Sequence, residues 1–262
     1  MLTIITGKHG SGKTTLIIEK IQSYAEKKVR CIVLVPEQYT VDYEKTVLSA
    51  LSEDIQRYVE ITNFKRLCHN IFCLYGGISD NYLEDSSKII IMAKALKAYE
   101  DRIELFKNTV NEVGFLEKLV ELKEECDREK ITPDLLLDAS EKAFGIQQKK
   151  LKEISEIFAI YDALLYEKYT DAHNDFESAT DKVIANRPFE NDCIFLDSFE
   201  SFSKEELDFL DAVFRRTKDI FASICIDEND KSARRFIFDE AKKTIGKLNY
   251  LAQKNNHSVK TI

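Results

Sequence analysis

The chain of 262 residues contains no tryptophan, only 8 glycines and only 3 prolines. Glycine and proline are the residues that most often interrupt regular structure, so their scarcity predicts long helices and few loops. No apolar run approaches the length of about 18 residues that reads as a membrane span. The segment Met1 to Thr6 is too short and lacks the basic start of a signal peptide. We therefore expect a cytoplasmic protein that does not cross a membrane.

The cysteines and the net charge argue against two further classes of protein. The 6 cysteines include no Cys-x-x-Cys pair, the spacing that metal and iron–sulfur sites often use. Most of them have apolar neighbours, as buried free thiols do, so we expect no iron–sulfur cluster in this chain. The net charge of −8 disfavours non-specific wrapping of nucleic acid, although an acidic chain can still bind a strand in a local groove.

A phosphate-binding loop is the main motif of the sequence. An apolar run, Leu2–Thr6, leads into Gly-Lys-His-Gly-Ser-Gly-Lys-Thr at residues 7–14, and apolar residues at helical spacing follow. In this strand–loop–helix setting, Gly-x-x-x-x-Gly-Lys-Thr binds nucleoside triphosphates. We predict that ATP is bound by the whole loop, namely Gly7, Lys8, His9, Gly10, Ser11, Gly12, Lys13 and Thr14.

Each part of the loop has an expected role. The glycines allow backbone dihedrals and a close approach that a Cβ atom would forbid. The backbone N–H groups and the helix amino terminus are expected to face the phosphates. Lys13 is expected to reach the β- and γ-phosphates, and the Thr14 hydroxyl to ligate Mg²⁺. The alternative is a glycine-rich turn that caps a helix and binds nothing.

Short apolar runs that alternate with helical patterns predict a parallel sheet. The predicted strands are Leu2–Thr6, Cys31–Val35, Cys193–Leu196 and Ile220–Ile226, with a weaker one at Tyr58–Thr62. The predicted helices run from Thr14 to about Lys28, from Val41 to about Leu51, and from a capping box at Ser203 to about Arg216. This alternation predicts right-handed βαβ units and an open α/β sheet.

Residues 65–187 interrupt this alternation with amphipathic helices. The predicted helices run from Ser86 to about Tyr99, from Val113 to about Glu129 and from Ile146 to about Tyr169, and a shorter one begins at Pro133. We predict that residues 1–64 and 188–262 form the core with the sheet. Residues 65–187 are then a large all-α subdomain inserted between two strands.

An acidic residue that follows a predicted strand is a candidate for contact with the metal. Asp197 comes directly after Cys193–Leu196, and P-loop ATPases use an acid at the end of a neighbouring strand to hold Mg²⁺ through water. The next residue is Ser198, where many ATPases have a glutamate that activates the attacking water. A hydroxyl of ordinary acidity cannot act as this base. The sequence favours Mg²⁺ contact at Asp197 with weak hydrolysis. The alternative is an aspartate that ends a strand and has no metal role.

Two polar segments are expected at the carboxyl edge of the sheet, where open α/β sheets bind ligands. They are residues 34–40, Leu-Val-Pro-Glu-Gln-Tyr-Thr, and residues 62–66, Thr-Asn-Phe-Lys-Arg. A phenyl ring beside two cations suits single-stranded nucleic acid, because aromatic rings stack on bases and cations follow the phosphates. The alternatives are that Phe64 belongs to the core and that Arg66 forms a surface salt bridge.

Together these segments resemble the amino-terminal part of AddB, the second subunit of the bacterial AddAB helicase–nuclease. The family has the phosphate loop, a Val-Pro-(Glu/Asp)-Gln-x-Thr segment, a Phe-x-Arg-Leu segment and an apolar-Asp-x-Phe-x-x-Phe-(Ser/Thr)-x-x-Glu segment. In this chain the four stand, in the same order, at residues 7–14, 35–40, 64–67 and 196–206. The resemblance spans essentially the whole chain.

The resemblance implies a RecA-like first motor domain of a superfamily 1 helicase, with a helical insertion. It implies a degenerate motor that binds ATP and Mg²⁺, scaffolds the complex and inspects single-stranded DNA for a recombination signal. It also implies an AddA-like partner in a heterodimer that acts on double-stranded DNA breaks. The DNA contacts that it implies are Gln38, Thr40, Phe64, Arg66 and Phe199. His69 departs from relatives that have a large aromatic residue at its position.

The sequence lacks other parts of a full AddB protein. Nothing after Ile262 could form a second motor domain with its arginine finger, or a nuclease. We therefore expect an excised amino-terminal fragment or the product of a truncated gene. Two rival interpretations stay open. One is an independent P-loop ATPase or small-molecule kinase, against which Ser198 and the lack of an arginine cluster argue. The other is a structural subunit whose loop is vestigial.

Overall fold

The computed structural model describes residues 1–77, 85–107, 112–168, 175–227 and 238–262. The chain forms two units. The first combines Met1–Ile78 with Phe176–Ile262, and the second is Ser79–Asp175. No helix in the described part of the chain is long and apolar enough to cross a membrane.

The first unit is built on a six-stranded sheet in which every adjacent pair of strands is parallel. The strands are β1 (Leu2–Gly7), β2 (Cys31–Leu34), β3 (Val59–Thr62), β4 (Cys193–Leu196), β5 (Asp219–Cys225) and β6 (Val259–Thr261). Their order is β3-β2-β4-β5-β1-β6. The predicted α/β fold with a RecA-like parallel sheet is confirmed. The strand β6 was not predicted, because its three residues are exposed and form no apolar run.

Eleven helices belong to the described residues. They are α1 (Lys13–Ala25), α2 (Thr40–Ala50), α3 (Glu53–Gln56), α4 (Phe64–Tyr75), α5 (Asp85–Tyr99), α6 (Val113–Arg128), α7 (Pro133–Lys142), α8 (Gly145–Lys168), α9 (Asp175–Asn186), α10 (Lys204–Phe214) and α11 (Asp239–Lys254). Each predicted helix is present, and α10 begins with the predicted capping box of Ser203 and Glu206. The predicted end of α8 at about Tyr169 lies outside the described residues.

Both faces of the sheet are covered, which explains why its strands are apolar throughout. Successive side chains of a strand point to opposite faces. Ile5 and Val33 therefore pack in the cluster that contains residues of α1 and α2. Their neighbours Ile4 and Ile32 pack in the cluster that contains residues of α4, α9, α10 and α11.

The limits of the two units differ from the predicted domain limits of 64/65 and 187/188. The structure divides the chain at 78/79 and 175/176 instead. The physical reason is that α4 and α9 lie against the sheet, where Leu67, Ile71 and Val183 are at most 2% exposed. Absence of a strand pattern identifies a helical stretch but not the core that its helices join. The equation of these units with motor subdomains stays a prediction.

The second unit has a core of its own. Helices α5, α6 and α8 supply its most buried side chains, including Met92, Leu119 and Phe158. Lys123 is also buried, and its Nζ lies 2.5 Å from Asp127 Oδ1 and 2.9 Å from Asp162 Oδ1. The all-α character that was predicted for this part of the chain is therefore present in the described residues.

Candidate nucleotide site and polar edge

The loop between β1 and α1 has the backbone that its glycines predict. Gly12 has a φ of 87° and is the residue at the amino-terminal cap of α1. This left-handed conformation is costly for a residue with a Cβ atom. At Gly7 the constraint is space, because an added Cβ would collide with the side chain of Ser11. The left-handed backbone therefore favours glycine at position 12, and Gly7 leaves space for the side chain of Ser11.

Lys13 folds back over the loop. Its Nζ donates to the carbonyl oxygens of Gly7 at 2.9 Å and Lys8 at 2.7 Å. Among the described residues, no side chain caps the amino terminus of α1. A positive charge and uncapped N–H groups with a favourable helix dipole thus meet at the start of one helix, an arrangement suited to an anion.

The other loop residues differ in exposure and in their partners. His9 and Ser11 are exposed, and Thr14 is half-buried in the first turn of α1. Lys8 forms an ion pair with Asp227, with 2.7 Å between Nζ and Oδ2. Asp227 follows β5 and was not indicated by the sequence. The eight predicted loop residues are thus brought together, while nucleotide binding itself stays a prediction.

Asp197 lies at the end of β4, which is separated from β1 by β5. The residue is only 2% exposed. Its Oδ2 accepts a hydrogen bond from the Tyr43 hydroxyl at 2.5 Å, and its Oδ1 accepts from the Ser198 backbone N–H at 2.8 Å. The Ser223 hydroxyl also donates to Oδ1. The carboxylate is therefore bound from three sides by the protein.

Tyr43 is fixed as a donor in this network. Burial raises the pKa of its phenol far above the ordinary value, and the adjacent Asp197 carboxylate raises that pKa further. Tyr43 therefore keeps its proton at neutral pH. Neither Tyr43 nor Ser223 was singled out in the sequence. A signal exists for Ser223, because a hydroxyl inside the apolar strand β5 requires a buried partner.

The two predicted magnesium contacts differ in how well they fit a metal. The Thr14 hydroxyl stands in the first turn of α1, next to the loop, and fits the role of a ligand. A carboxylate offers about four lone-pair sites. Three of those of Asp197 already accept hydrogen bonds, and the group is buried. One lone pair of Oδ2 is left, on a carboxylate that is only 2% exposed, so Asp197 fits a metal less well than Thr14 does.

The two polar segments meet at the carboxyl edge, as predicted from their places after β2 and β3. Thr40 is buried, and its hydroxyl lies 3.0 Å from the Glu37 carbonyl oxygen to which it donates. Asn63 Nδ2 is 3.5 Å from the Thr40 hydroxyl, and Asn63 Oδ1 accepts from the Arg66 backbone N–H at 2.9 Å. Thr40 and Asn63 thus join the two segments, and the predicted contact of Thr40 with DNA is corrected because its side chain is buried.

Phe64 and Phe199 lie in the core, which is the alternative that was stated for Phe64. They are 4% and 8% exposed. The Phe64 ring has its centroid 5.6 Å from that of Phe199 and within 6.2 Å of those of Phe176, Phe202 and Phe209. The expectation that these two residues contact DNA is corrected accordingly, because neither ring offers an open face to a base in this structure.

The exposed side chains of the edge are different ones. Gln38 and Arg66 are exposed, as their predicted role requires. Tyr39, between Gln38 and Thr40, is 49% exposed and was not singled out from the sequence. His69 is exposed on α4, where its Nε2 lies 3.5 Å from Cys73 Sγ. An amide, an aromatic ring and a guanidinium group are therefore available at this edge.

The strand order defines the first unit as a RecA-like parallel α/β protein, in which a glycine-rich loop joins β1 to α1. Sequence comparison then gives the particular family. The family described as "ADDB, N-terminal" matches residues 4–262, and the chain belongs to it.

The relatives are long proteins, each named as the B subunit of an ATP-dependent helicase/deoxyribonuclease. The chain is 27% identical to that of Clostridium botulinum strain Hall over 97% of its own length and 23% of the relative. It is 27% identical to that of Clostridioides difficile strain 630, over 100% of this chain and 23% of the relative. It is 28% identical to that of Clostridium perfringens strain 13, over 96% of this chain and 22% of the relative. The chain thus spans less than a quarter of these relatives.

Proposed function

We propose that this chain is the ATP-binding, single-strand-contacting amino-terminal portion of an AddB-like helicase–nuclease subunit that acts in double-strand break repair and recombination. The observation that carries the proposal is the phosphate loop. Lys13 Nζ is within 2.9 Å of two loop carbonyl oxygens, at the uncapped start of α1 in the described structure. The names of the relatives, which contain ATP, helicase and deoxyribonuclease, support it.

In this proposal the loop binds the phosphates of ATP. The Lys13 ammonium group exchanges its two carbonyl acceptors for β- and γ-phosphate oxygens, where a charge-assisted hydrogen bond is stronger. Backbone N–H groups at the start of α1 bind the remaining oxygens. Mg²⁺, when bound, neutralises phosphate charge, and Thr14 is the residue of this chain suited to ligate it.

Hydrolysis is proposed to be weak or absent. Ser198 follows Asp197 where a base would be needed, and a hydroxyl of ordinary acidity cannot take a proton from water. Ser198 also has a φ of 66°, so the backbone turns sharply there. Bound ATP would then act as a ligand that stabilises one state of the protein.

The proposed nucleic-acid surface is the edge formed by Gln38, Tyr39 and Arg66. An exposed aromatic ring stacks on bases of any sequence, and a neighbouring cation pairs with phosphates. The partner is proposed to be an AddA-like helicase–nuclease, because the names of the relatives describe one subunit of a larger enzyme. The two proteins would form a heterodimer that works on broken DNA ends.

Isothermal calorimetry with ATP tests the nucleotide site. We expect wild type to bind and Lys13→Ala to lose binding, because Lys13 provides the cation that folds over the loop. Lys20→Ala is the matched control, since Lys20 lies further along the same helix. Equal affinities of wild type and Lys13→Ala would contradict the site.

A further inference from the structure

The hydrogen bonds around Asp197 distinguish this carboxylate from an acid that awaits a metal. Tyr43 donates to Oδ2 at 2.5 Å, and Ser223 and the Ser198 N–H donate to Oδ1. These donors come from α2, from β5 and from the backbone that follows β4. The carboxylate therefore connects three segments of the first unit by hydrogen bonds.

The environment of the Tyr43 hydroxyl favours keeping this bond. Tyr43 is 8% exposed and Asp197 is 2% exposed, so water has little access to replace either partner. Hydrogen bonds to a charged group are about twice as strong as neutral ones. Leaving such a donor and acceptor buried and unpaired would cost the desolvation free energy of both groups. Any metal contact at Oδ2 has to share this buried oxygen with the Tyr43 hydroxyl, which occupies one of its two lone pairs.

We propose that Tyr43 and Ser223 hold Asp197 as an internal hydrogen-bond acceptor, so that Asp197 contributes nothing to the binding of nucleotide with Mg²⁺ unless one of these two hydroxyls is removed. This inference rests on the proposed nucleotide site. It gives Asp197 a structural role at the carboxyl edge of the sheet. It leaves the loop and Lys13 as the determinants of affinity, with Thr14 as the metal-facing residue. It also gives Tyr43 a positioning role that neither the motif nor the family match supplies.

A second consequence concerns α2. Tyr43 lies three residues after Thr40, which closes the turn at Gln38 and Tyr39. The bond from Tyr43 to Asp197 therefore ties the proposed nucleic-acid edge to the end of β4. Because this tie is internal, the edge keeps its shape whether or not a metal accompanies the nucleotide.

A double-mutant cycle tests the proposal. ATP affinity is measured by calorimetry, with Mg²⁺ and with EDTA, for wild type, Tyr43→Phe, Asp197→Asn and the double variant. We expect Asp197→Asn alone to change affinity in Mg²⁺ by less than about twofold. We expect Tyr43→Phe to increase the Mg²⁺ dependence by about fivefold or more, and the double variant to lose that gain, a coupling of ordinary size for residues in contact.

The control is Tyr24→Phe, which removes a similar bond elsewhere. The Tyr24 hydroxyl donates to Asp219 Oδ2 at 2.9 Å, at the amino end of β5 and so at the opposite edge of the sheet. It should leave the Mg²⁺ dependence unchanged. Thermal melts establish that each variant is folded. If Tyr43→Phe does not fold, Ser223→Ala releases Oδ1 and should raise the Mg²⁺ dependence in the same direction.

Two results would overturn the inference while leaving ATP binding intact. One is a loss of about tenfold or more in Mg²⁺ for Asp197→Asn in the presence of Tyr43, which would make Asp197 a metal contact already. The other is an unchanged Mg²⁺ dependence in both Tyr43→Phe and Ser223→Ala. Failure of wild type to bind ATP in either buffer would instead overturn the proposed function, and this inference with it.

Discussion

The phosphate loop and the polar edge differ in what makes them a site. In the loop, the groups that we propose to bind phosphate are mostly backbone N–H groups, and the residues at 7–14 fix the path that presents them. At the edge, the groups that we propose to bind DNA are side chains, whose direction depends on what packs beneath them. Phe64 accordingly points into the core while its neighbour Arg66 is exposed. A motif that acts through its backbone is therefore more readable from sequence than one that acts through side chains.

The largest expected effect concerns the chemistry that follows binding in the loop. Turnover of ATP should be about 10²–10⁴-fold below that of an enzyme with a positioned base, because Ser198 cannot fill that role. Phosphate release measured under saturating ATP checks this, with Lys13→Ala giving the background. Steady turnover above about 1 s⁻¹ would contradict the degenerate-motor interpretation and favour the independent ATPase or kinase.

The next effect tests whether Phe64 belongs to the core beneath the edge. Phe64→Ala should lower the free energy of unfolding by about 3–5 kcal/mol, because the ring is surrounded by four other phenylalanines. Phe144→Ala is the control, since Phe144 is 87% exposed and should change stability little. Urea denaturation measures both. An unchanged free energy of unfolding combined with weaker DNA binding for Phe64→Ala would instead support the predicted stacking role of Phe64.

The fold was predictable where one kind of residue repeats along an element. Five strands and seven of the described helices follow from apolar runs and helical spacing, and the capping box marks the start of α10, whereas α3, α4, α9 and α11 were not predicted as separate helices. β6 could not be predicted, because its three residues are exposed and its partner β1 lies at the other end of the sequence. The joining of α4 and α9 to the sheet was equally hidden, since the packing of a helix depends on distant residues.

Within the candidate site, the sequence indicated the loop and Asp197 but not the partners of Asp197. Tyr43 is separated from Asp197 by 154 residues and has the spacing of an ordinary core residue of α2. Only the strand order, with β2 and β4 adjacent, brings α2 near the end of β4. Long-range hydrogen bonds of this kind leave no local pattern. The polar residue inside β5 was the single local signal.

A smaller effect tests the exposed aromatic ring of the edge. Tyr39→Ala should weaken the binding of single-stranded DNA by about 1–3 kcal/mol, which is the contribution of one aromatic ring stacked on a base. Fluorescence anisotropy with a labelled oligonucleotide measures it. Tyr250→Ala is the matched control, because Tyr250 is 64% exposed on α11 and outside the edge. Equal losses for the two variants would show that the tyrosines act without a specific site.

The smallest expected effect separates charge from stacking at the same edge. Arg66→Ala should reduce the slope of log affinity for single-stranded DNA against log salt concentration by about one unit, because one phosphate contact is lost. Arg57→Ala is the control: Arg57 precedes β3 and thus lies at the amino edge of the sheet, whereas Arg66 follows that strand.

The two arginines give the last comparison its discriminating power. If the carboxyl edge binds the strand, only Arg66→Ala changes the slope, and Tyr39→Ala lowers affinity while leaving the slope as it was. If both arginine variants flatten the slope equally, the DNA is held by diffuse charge and the edge has no special part. Because the chain carries a net charge of −8, diffuse attraction is weak, so a slope change confined to Arg66 requires a local site.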